Sequence, residues 1–207
     1  MKDIPIFTGC DGIATLILRE IPYRGEGYVT VRSVFTSTES CLRECESFCK
    51  AVGAEKVYFN GNADFTDYPI YASLIEREIE VSSLPQTTAC AVLTKDAEKW
   101  AQIYNEKFAT VPAAQTCRKA ENAFDIFKDG ILIGIGQIEG NFIRSVATVE
   151  HGFGADCVAA LAQLCGEKTV KLLCAEQNER AMRLYDRLGF SRGERKEVWY
   201  SKKTLAI

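Results

Sequence analysis

The stretch Asn178-Glu179-Arg180-Ala181-Met182-Arg183-Leu184-Tyr185-Asp186-Arg187-Leu188-Gly189-Phe190 decides how this chain is read. Ala181, Leu184, Tyr185 and Leu188 recur at helical spacing and form one apolar stripe. Asn178 is a residue type that caps helix N-termini, and Gly189 is placed to end the helix in the left-handed conformation. The spacing therefore predicts a helix over about 178–188.

Working outward, Thr169 to Ala175 is an apolar run that reads as a buried strand, and Lys196 to Ser201 reads as a closing strand. Before them, Gly154 to Cys165 carries Val158, Leu161, Ala162 and Cys165 on one helical face. Further upstream, Phe124 to Phe127, Ile131 to Gln137 and Phe142 to Thr148 read as an antiparallel meander. Its turns are Lys128-Asp129-Gly130 and Glu139-Gly140-Asn141, whose residues tolerate positive φ. The second half opens with helices over Asp96 to Phe108 and around Ala113 to Lys119, interrupted at Pro112.

The order in this half echoes an earlier one. Arg32-Ser33-Val34-Phe35-Thr36 returns as Arg144-Ser145-Val146-Ala147-Thr148, and Gly53-Ala54-Glu55-Lys56-Val57 returns as Gly166-Glu167-Lys168-Thr169-Val170. In both copies a helix stands between the two segments and an apolar strand follows. The first half reads as strands over Ile13 to Glu20 and Tyr28 to Phe35, joined through Pro22-Tyr23-Arg24-Gly25, then a helix over Glu39 to Val52 and a strand over Lys56 to Asn60. Ser82-Ser83-Leu84-Pro85 interrupts the periodicity and sets an expected boundary, giving a half domain over 1–84 and a complete domain over 85–207. The expected class is α/β, with a mixed, mainly antiparallel sheet flanked by helices and a partial N-terminal repeat.

Composition narrows the function classes. With 207 residues, 47% of them hydrophobic, the chain can bury a substantial core. A net charge of −3 with no charge blocks gives no electrostatic reason to expect nucleic acid or an anionic membrane. No apolar run approaches the ~20 residues that span a bilayer. The nine cysteines are odd in number, and several sit inside apolar segments, so reduced thiols in a cytoplasmic protein are expected. Cys41, Cys45 and Cys49 share a helix face with Phe48 and Val52 and read as small buried side chains, not as metal ligands.

The loop Glu150-His151-Gly152-Phe153-Gly154-Ala155 joins a strand to a helix. It can therefore aim unpaired backbone N–H groups and a positive helix end at an anion such as a pyrophosphate. Together with the Asn, Ala, Leu-Tyr and Gly-Phe pattern of residues 178–190, this resembles the GNAT superfamily of N-acetyltransferases. The resemblance covers roughly Thr94 to Ser201. It implies that the glycine loop binds the pyrophosphate of acetyl-CoA and that the pantetheine arm lies between splayed fourth and fifth strands. Those elements correspond here to Ser145 to Thr148, His151 to Asp156 and Val170 to Ala175. The first half has Ser37-Thr38-Glu39-Ser40 at the position of the loop, without glycine and with an added negative charge, so one acyl-CoA site is expected.

The resemblance further implies direct attack of an amine on the thioester. Tyr185 then serves as general acid, the alternative being a core tyrosine. Val146, Ala147 and Thr148 offer backbone groups to the thioester and the pantetheine amides, and His151, Gly152, Phe153, Gly154 and Ala155 surround the phosphates. Asn178 bonds the cofactor arm or simply caps its helix. Glu150 and Glu176 are the candidate bases by chain position. Asp156 stands where the motif has glycine or alanine, and unless nearby cations offset it, its charge opposes phosphate binding. The acceptor is a small-molecule or peptide amine, expected to lie against Trp100 to Pro112 and the closing strands. A homodimer is left open. The rival reading is a pseudo-acyltransferase that senses CoA or docks a protein without turnover.

Overall fold

A computed structural model describes residues 1–202 of the chain. Two compact units divide it: Met1–Ser73 with residues 197–202, and Leu74–Lys196. The boundary expected at residue 84 falls inside the second unit.

The first unit contains β1 (Ile4–Thr8), β2 (Gly12–Ile17), the short helix α1 (Ile21–Arg24), β3 (Glu26–Val34), α2 (Thr38–Ala51) and β4 (Lys56–Gly61). β1, β2 and β3 run antiparallel, and β4 pairs parallel to β3 without a break from Glu26 opposite Lys56 to Val31 opposite Gly61. Strand alternation gathers Ala14, Leu16, Val29, Val31, Val57 and Phe59 with Cys41, Leu42, Cys45 and Cys49 of α2 in one core. The thiols act as small packing groups. A Cβ on Gly12 would lie 2.5 Å from Cys41 Sγ, so the strand glycine is what lets α2 approach. Burial pushes the Cys45 thiol up to about 12 and the Cys49 thiol up to about 11, which keeps both protonated near neutrality.

The second unit takes β5 (Ile70–Glu80) from Leu74 onward, then β6 (Cys90–Leu93), α3 (Ala97–Phe108), β7 (Ala123–Lys128), β8 (Ile131–Glu139), β9 (Phe142–Thr148), α4 (Gly154–Ala162), β10 (Thr169–Ala175) and α5 (Glu179–Leu188), and it includes the start of β11 (Glu194–Ser201). Its strand order is β5-β10-β9-β8-β7-β6. The β7–β8 turn uses Asp129 and Gly130, both at positive φ (52° and 79°). On one face of the sheet Gly134 and Gly136 of β8 admit Cys157 and Leu161 of α4, since a Cβ at either glycine would collide with them. On the other face α3 packs Trp100 against Ala123 and Ile135, and the indole Nε1 donates to Phe124 O at 3.0 Å. Asp96 caps α3 by accepting from Lys99 N at 2.9 Å.

Each unit is completed by a strand from the other half of the chain. β5 lies antiparallel on β10 from Glu80 opposite Thr169 to Leu74 opposite Ala175. At the far end of the chain, Tyr200 and Ser201 of β11 pair with Phe59 and Tyr58 of β4. The order β2, β3, α2, β4 parallels β8, β9, α4, β10, but a contiguous cut at residue 84 does not separate the units. A second difference lies at Ala113–Lys119, where no helix forms. Ala113 has φ 58°, outside the helical region, and Asn105 holds the segment as a loop: its Nδ2 donates to Cys117 O at 3.0 Å and its Oδ1 accepts from Cys117 N at 2.8 Å. Among the described residues no helix is long and apolar enough to cross a membrane.

Candidate active site

β9 and β10 are parallel neighbours for only two pairs, Phe142 with Lys171 and Ile143 with Leu172. Beyond these the strands part. β9 continues to Thr148 on β8, and β10 continues to Ala175 on β5. In an antiparallel ladder only alternate residues turn their backbone groups toward a given neighbour. The rest of β9 from Arg144 to Thr148 therefore turns N–H and C=O groups into the opening, where no strand meets them. Val146 and Thr148 turn this way, whereas Ala147, expected to join them, directs its backbone groups to β8.

The loop after β9 leads to the N-terminus of α4. Glu150 N and Val149 N both donate to Ile133 O (3.3 and 2.8 Å), which ends the strand. Gly152 then adopts φ 95°, a conformation that disfavours side chains, and a Cβ there would meet nothing within 4 Å. Open space lies in front of this backbone. Phe153, the N-cap of α4, provides no side-chain acceptor, so the first-turn N–H groups at Gly154, Ala155 and Asp156 lack a cap. The other three long helices are capped by their own sequence: Ser37 accepts from Ser40 N, Asp96 from Lys99 N and Asn178 from Ala181 N. Gly154 has a packing cause as well, because a Cβ there would lie 2.8 Å from Leu184 Cδ2 of α5.

Cations gather around this end of α4. Arg180 Nη2 lies 3.1 Å from His151 Nδ1. Lys128 Nζ lies 2.8 Å from Asp156 Oδ1 and 5.6 Å from the centroid of the Phe153 ring. Thr87 Oγ1 also donates to Asp156 Oδ1, at 2.6 Å. Burial alone would disfavour the Asp156 charge, but the hydrogen bonds from Lys128 and Thr87 outweigh it and hold the carboxyl below its ordinary 3.8. Lys128 is thus a nearby cation of the kind that offsets the Asp156 charge.

Tyr185 is 6% exposed and sits in the core cluster of the unit with Cys174 and Phe190. Its ring centroid is 5.3 Å from that of Phe190. Burial raises its pKa well above 10, the neighbouring Cys174 adds to the rise, and Arg77 opposes it. The phenol holds its proton throughout the accessible range. Of the two readings of Asn178, the structure displays the cap: Oδ1 accepts from Ala181 N at 3.2 Å. Glu150 stands at the end of β9 and Glu176 just past β10, so both carboxylates flank the diverging strand ends. Glu176 is paired with Arg195 at 3.0 Å. No local pattern in the sequence marks Lys128, Thr87, Arg180 or Arg77 as belonging to the site. Arg180 lay within the decisive stretch, and Lys128 read only as a turn residue.

No family model matches the chain, and no curated protein does. Solved structures do resemble it. A functionally unknown conserved protein from Staphylococcus epidermidis superposes with a TM-score of 0.58 at 11% identity, over 94% of this chain and 90% of that one. A GCN5-related N-acetyltransferase from Kribbella flavida gives 0.54 at 15% identity, over 96% and 90%. One from Sphaerobacter thermophilus gives 0.52 at 16% identity, over 92% and 76%. The fold is that of the GCN5-related N-acetyltransferases, a mixed α/β arrangement with a mainly antiparallel sheet flanked by helices.

Proposed function

We propose that this chain is an acyl-CoA-dependent N-acyltransferase that moves an acetyl group to an amine at a single site in the second unit. The parting of β9 from β10, ending at an uncapped helix N-terminus, is the observation that carries this reading. Bound acetyl-CoA would supply an acyl carbon already activated as a thioester. The residues of the chain fit such a donor. The first-turn N–H groups of α4 and the open backbone at Gly152 suit a pyrophosphate, with His151, Arg180 and Lys128 adding donors or charge. The outward backbone groups of Val146 and Thr148, with Ala147 between them turned onto β8, suit the pantetheine amides and a thioester oxygen.

Tyr185 keeps its proton and is therefore able to deliver it to a departing thiolate. Of the two carboxylates, Glu176 is engaged with Arg195, so Glu150 is the better base for the amine, directly or through water. The acceptor amine enters against α3, where Trp100, Tyr104 and Phe108 stack with centroid spacings of 5.4 and 4.3 Å. The locally neutralised Asp156 removes one objection to phosphate binding and so supports the enzyme over a pseudo-acyltransferase.

Calorimetry with acetyl-CoA on the full chain, followed by detection of free thiol with a panel of small amines and peptide amines, tests the proposal. Saturable binding with turnover of at least one amine class is expected. Binding without turnover across the panel supports the sensor reading, and no binding at millimolar acetyl-CoA overturns the site.

A further inference from the structure

Arg77 is a charged residue in the middle of β5, yet it is 1% exposed. Its ladder neighbours, Ile75 opposite Cys174 and Ile79 opposite Val170, face the core, and the same alternation would put an apolar side chain at 77. The guanidinium instead binds the end of α5. Nε donates to Ser191 O at 2.6 Å, and Nη2 donates to Phe190 O at 3.0 Å and to Asp186 Oδ1 at 2.7 Å. Ser191 closes the clamp: its N donates to Glu78 O at 2.8 Å, and its Oγ accepts from Glu78 N at 3.0 Å. Tyr185 belongs to the turn held this way. Asp186 follows it directly, and Phe190 N donates to Tyr185 O at 3.0 Å.

Two features go beyond a clamp. The Asp186 side chain is 63% exposed, so water answers much of its charge and the buried guanidinium is only partly neutralised. Arg77 Nη1 is buried and makes no hydrogen bond among the described residues. Burying a cation with an unused donor is costly, and an apolar residue in its place would avoid that cost. A use for the charge would explain its retention.

We propose that Arg77 is a positioning residue for Tyr185, holding the last turn of α5 and keeping a positive charge beside the phenol at the moment its proton leaves. This rests on the acyltransferase reading. In that reaction the amine nitrogen bonds to the acyl carbon and the carbon–sulfur bond breaks, its electron pair going to sulfur. Sulfur takes the Tyr185 hydroxyl proton, and the proton lost by the amine returns to the phenolate through water. Tyr185 is thus briefly anionic in a buried cluster, the state that burial most disfavours. Arg77 acts against that penalty at Tyr185 and also at Cys174, where burial has pushed the thiol up to about 11.

The test uses the full chain with a polyfluorinated tyrosine at position 185, whose phenol ionises at lower pH and reports by 19F NMR without any substrate. Arg77→Gln removes the charge but keeps a donor, whereas Arg77→Lys keeps the charge but loses the fork. Arg77→Gln should raise the midpoint by about one pH unit, about tenfold in acidity, and Arg77→Lys should leave it at the wild-type value. An unmoved midpoint in Arg77→Gln overturns the proposal. Where Arg77→Gln does not fold, a midpoint displaced in Arg77→Lys despite the retained charge overturns it instead. In turnover, Arg77→Gln should lower kcat about tenfold with the acetyl-CoA KM unchanged, and cost nothing further in a Tyr185→Phe background; additive losses count against it. A wild-type chain that turns over no amine refutes the acyltransferase reading, while the NMR titration still judges the charge of Arg77 at Tyr185.

Discussion

Two parallel strand pairs, β3 with β4 and β9 with β10, hold corresponding places in the two halves of the chain and end differently. β3 and β4 stay paired to Val31 and Gly61, and Ser37 then caps α2 from within the sequence. β9 and β10 part after Ile143 and Leu172, and α4 begins without a side-chain cap. In the first half the backbone groups that could meet a ligand are spent on the ladder and on Ser37. In the second they are left over, and that surplus is the candidate site. A shared element order therefore supplies a scaffold twice, while of these two parallel pairs it is β9 with β10 that parts early.

The comparison can be broken most severely by cutting the chain where its sequence periodicity lapses. Residues 85–207 alone lack β5, which strips the whole β10 ladder on that side and removes Arg77 from the end of α5. Since a domain's net stability is only ~5–15 kcal/mol, this piece should show no cooperative unfolding in thermal melts followed by circular dichroism. A sharp transition would mean that β5 is dispensable and that the halves are separable after all.

Within the intact chain, Tyr185→Phe should lower kcat by ~10²–10⁴-fold while leaving acetyl-CoA affinity nearly unchanged. Because the phenol keeps its proton over the accessible range, the wild-type pH profile should show no alkaline limb from Tyr185. An unchanged kcat in the variant would return Tyr185 to a purely structural role.

Gly152→Ala forces a side chain into a left-handed conformation at ~1–2 kcal/mol, and the loop should relax away from its open geometry. Acetyl-CoA affinity should fall about tenfold by calorimetry. The mirror experiment, Ser37→Gly in the first half, should leave the stoichiometry at one site, because β3 and β4 remain zipped. A second site appearing there would undo the argument from splaying.

The smallest effect concerns Lys128. Removing it as Lys128→Met leaves Asp156 unpaired at the phosphate end of α4, and a partly exposed pair of this kind is worth up to ~1 kcal/mol, about fivefold in acetyl-CoA affinity. Asp156→Asn in the same chain should restore the loss. The pair also sets a pH sign. The folded carboxyl lies below its unfolded value of 3.8, so its contribution to stability is present above that pH and is lost as pH falls through the lower folded value. Melting temperatures of wild type and Asp156→Asn should therefore differ at pH 7 and converge in strong acid.

The comparison also explains which elements were legible. β10 and α5 carry short-range signals, an apolar run in one and a cap, a stripe and a terminating glycine in the other, and their expected limits match the structure closely. β5 went unread although it is a long strand. Arg77 occupies an inward position where alternation calls for an apolar residue, and Glu76, Glu78 and Glu80 make the segment look like a charged loop. The loop over 113–119 was misread for the opposite reason: its composition permits a helix, but Asn105 binds Cys117 from a distance in sequence. Cys41, Cys45 and Cys49 were legible as packing groups, because their spacing alone put them on one apolar face.

The amino-acid sequence carries the local part: where helices start and stop, and where turns need glycine. These follow from interactions spanning a few residues. The exchange of β5 and β11, the parting of β9 from β10 and the pairing of Lys128 with Asp156 were decided only by tertiary structure. Each joins segments far apart in the chain, and strand register is set by which faces are buried together, not by any signal within one strand.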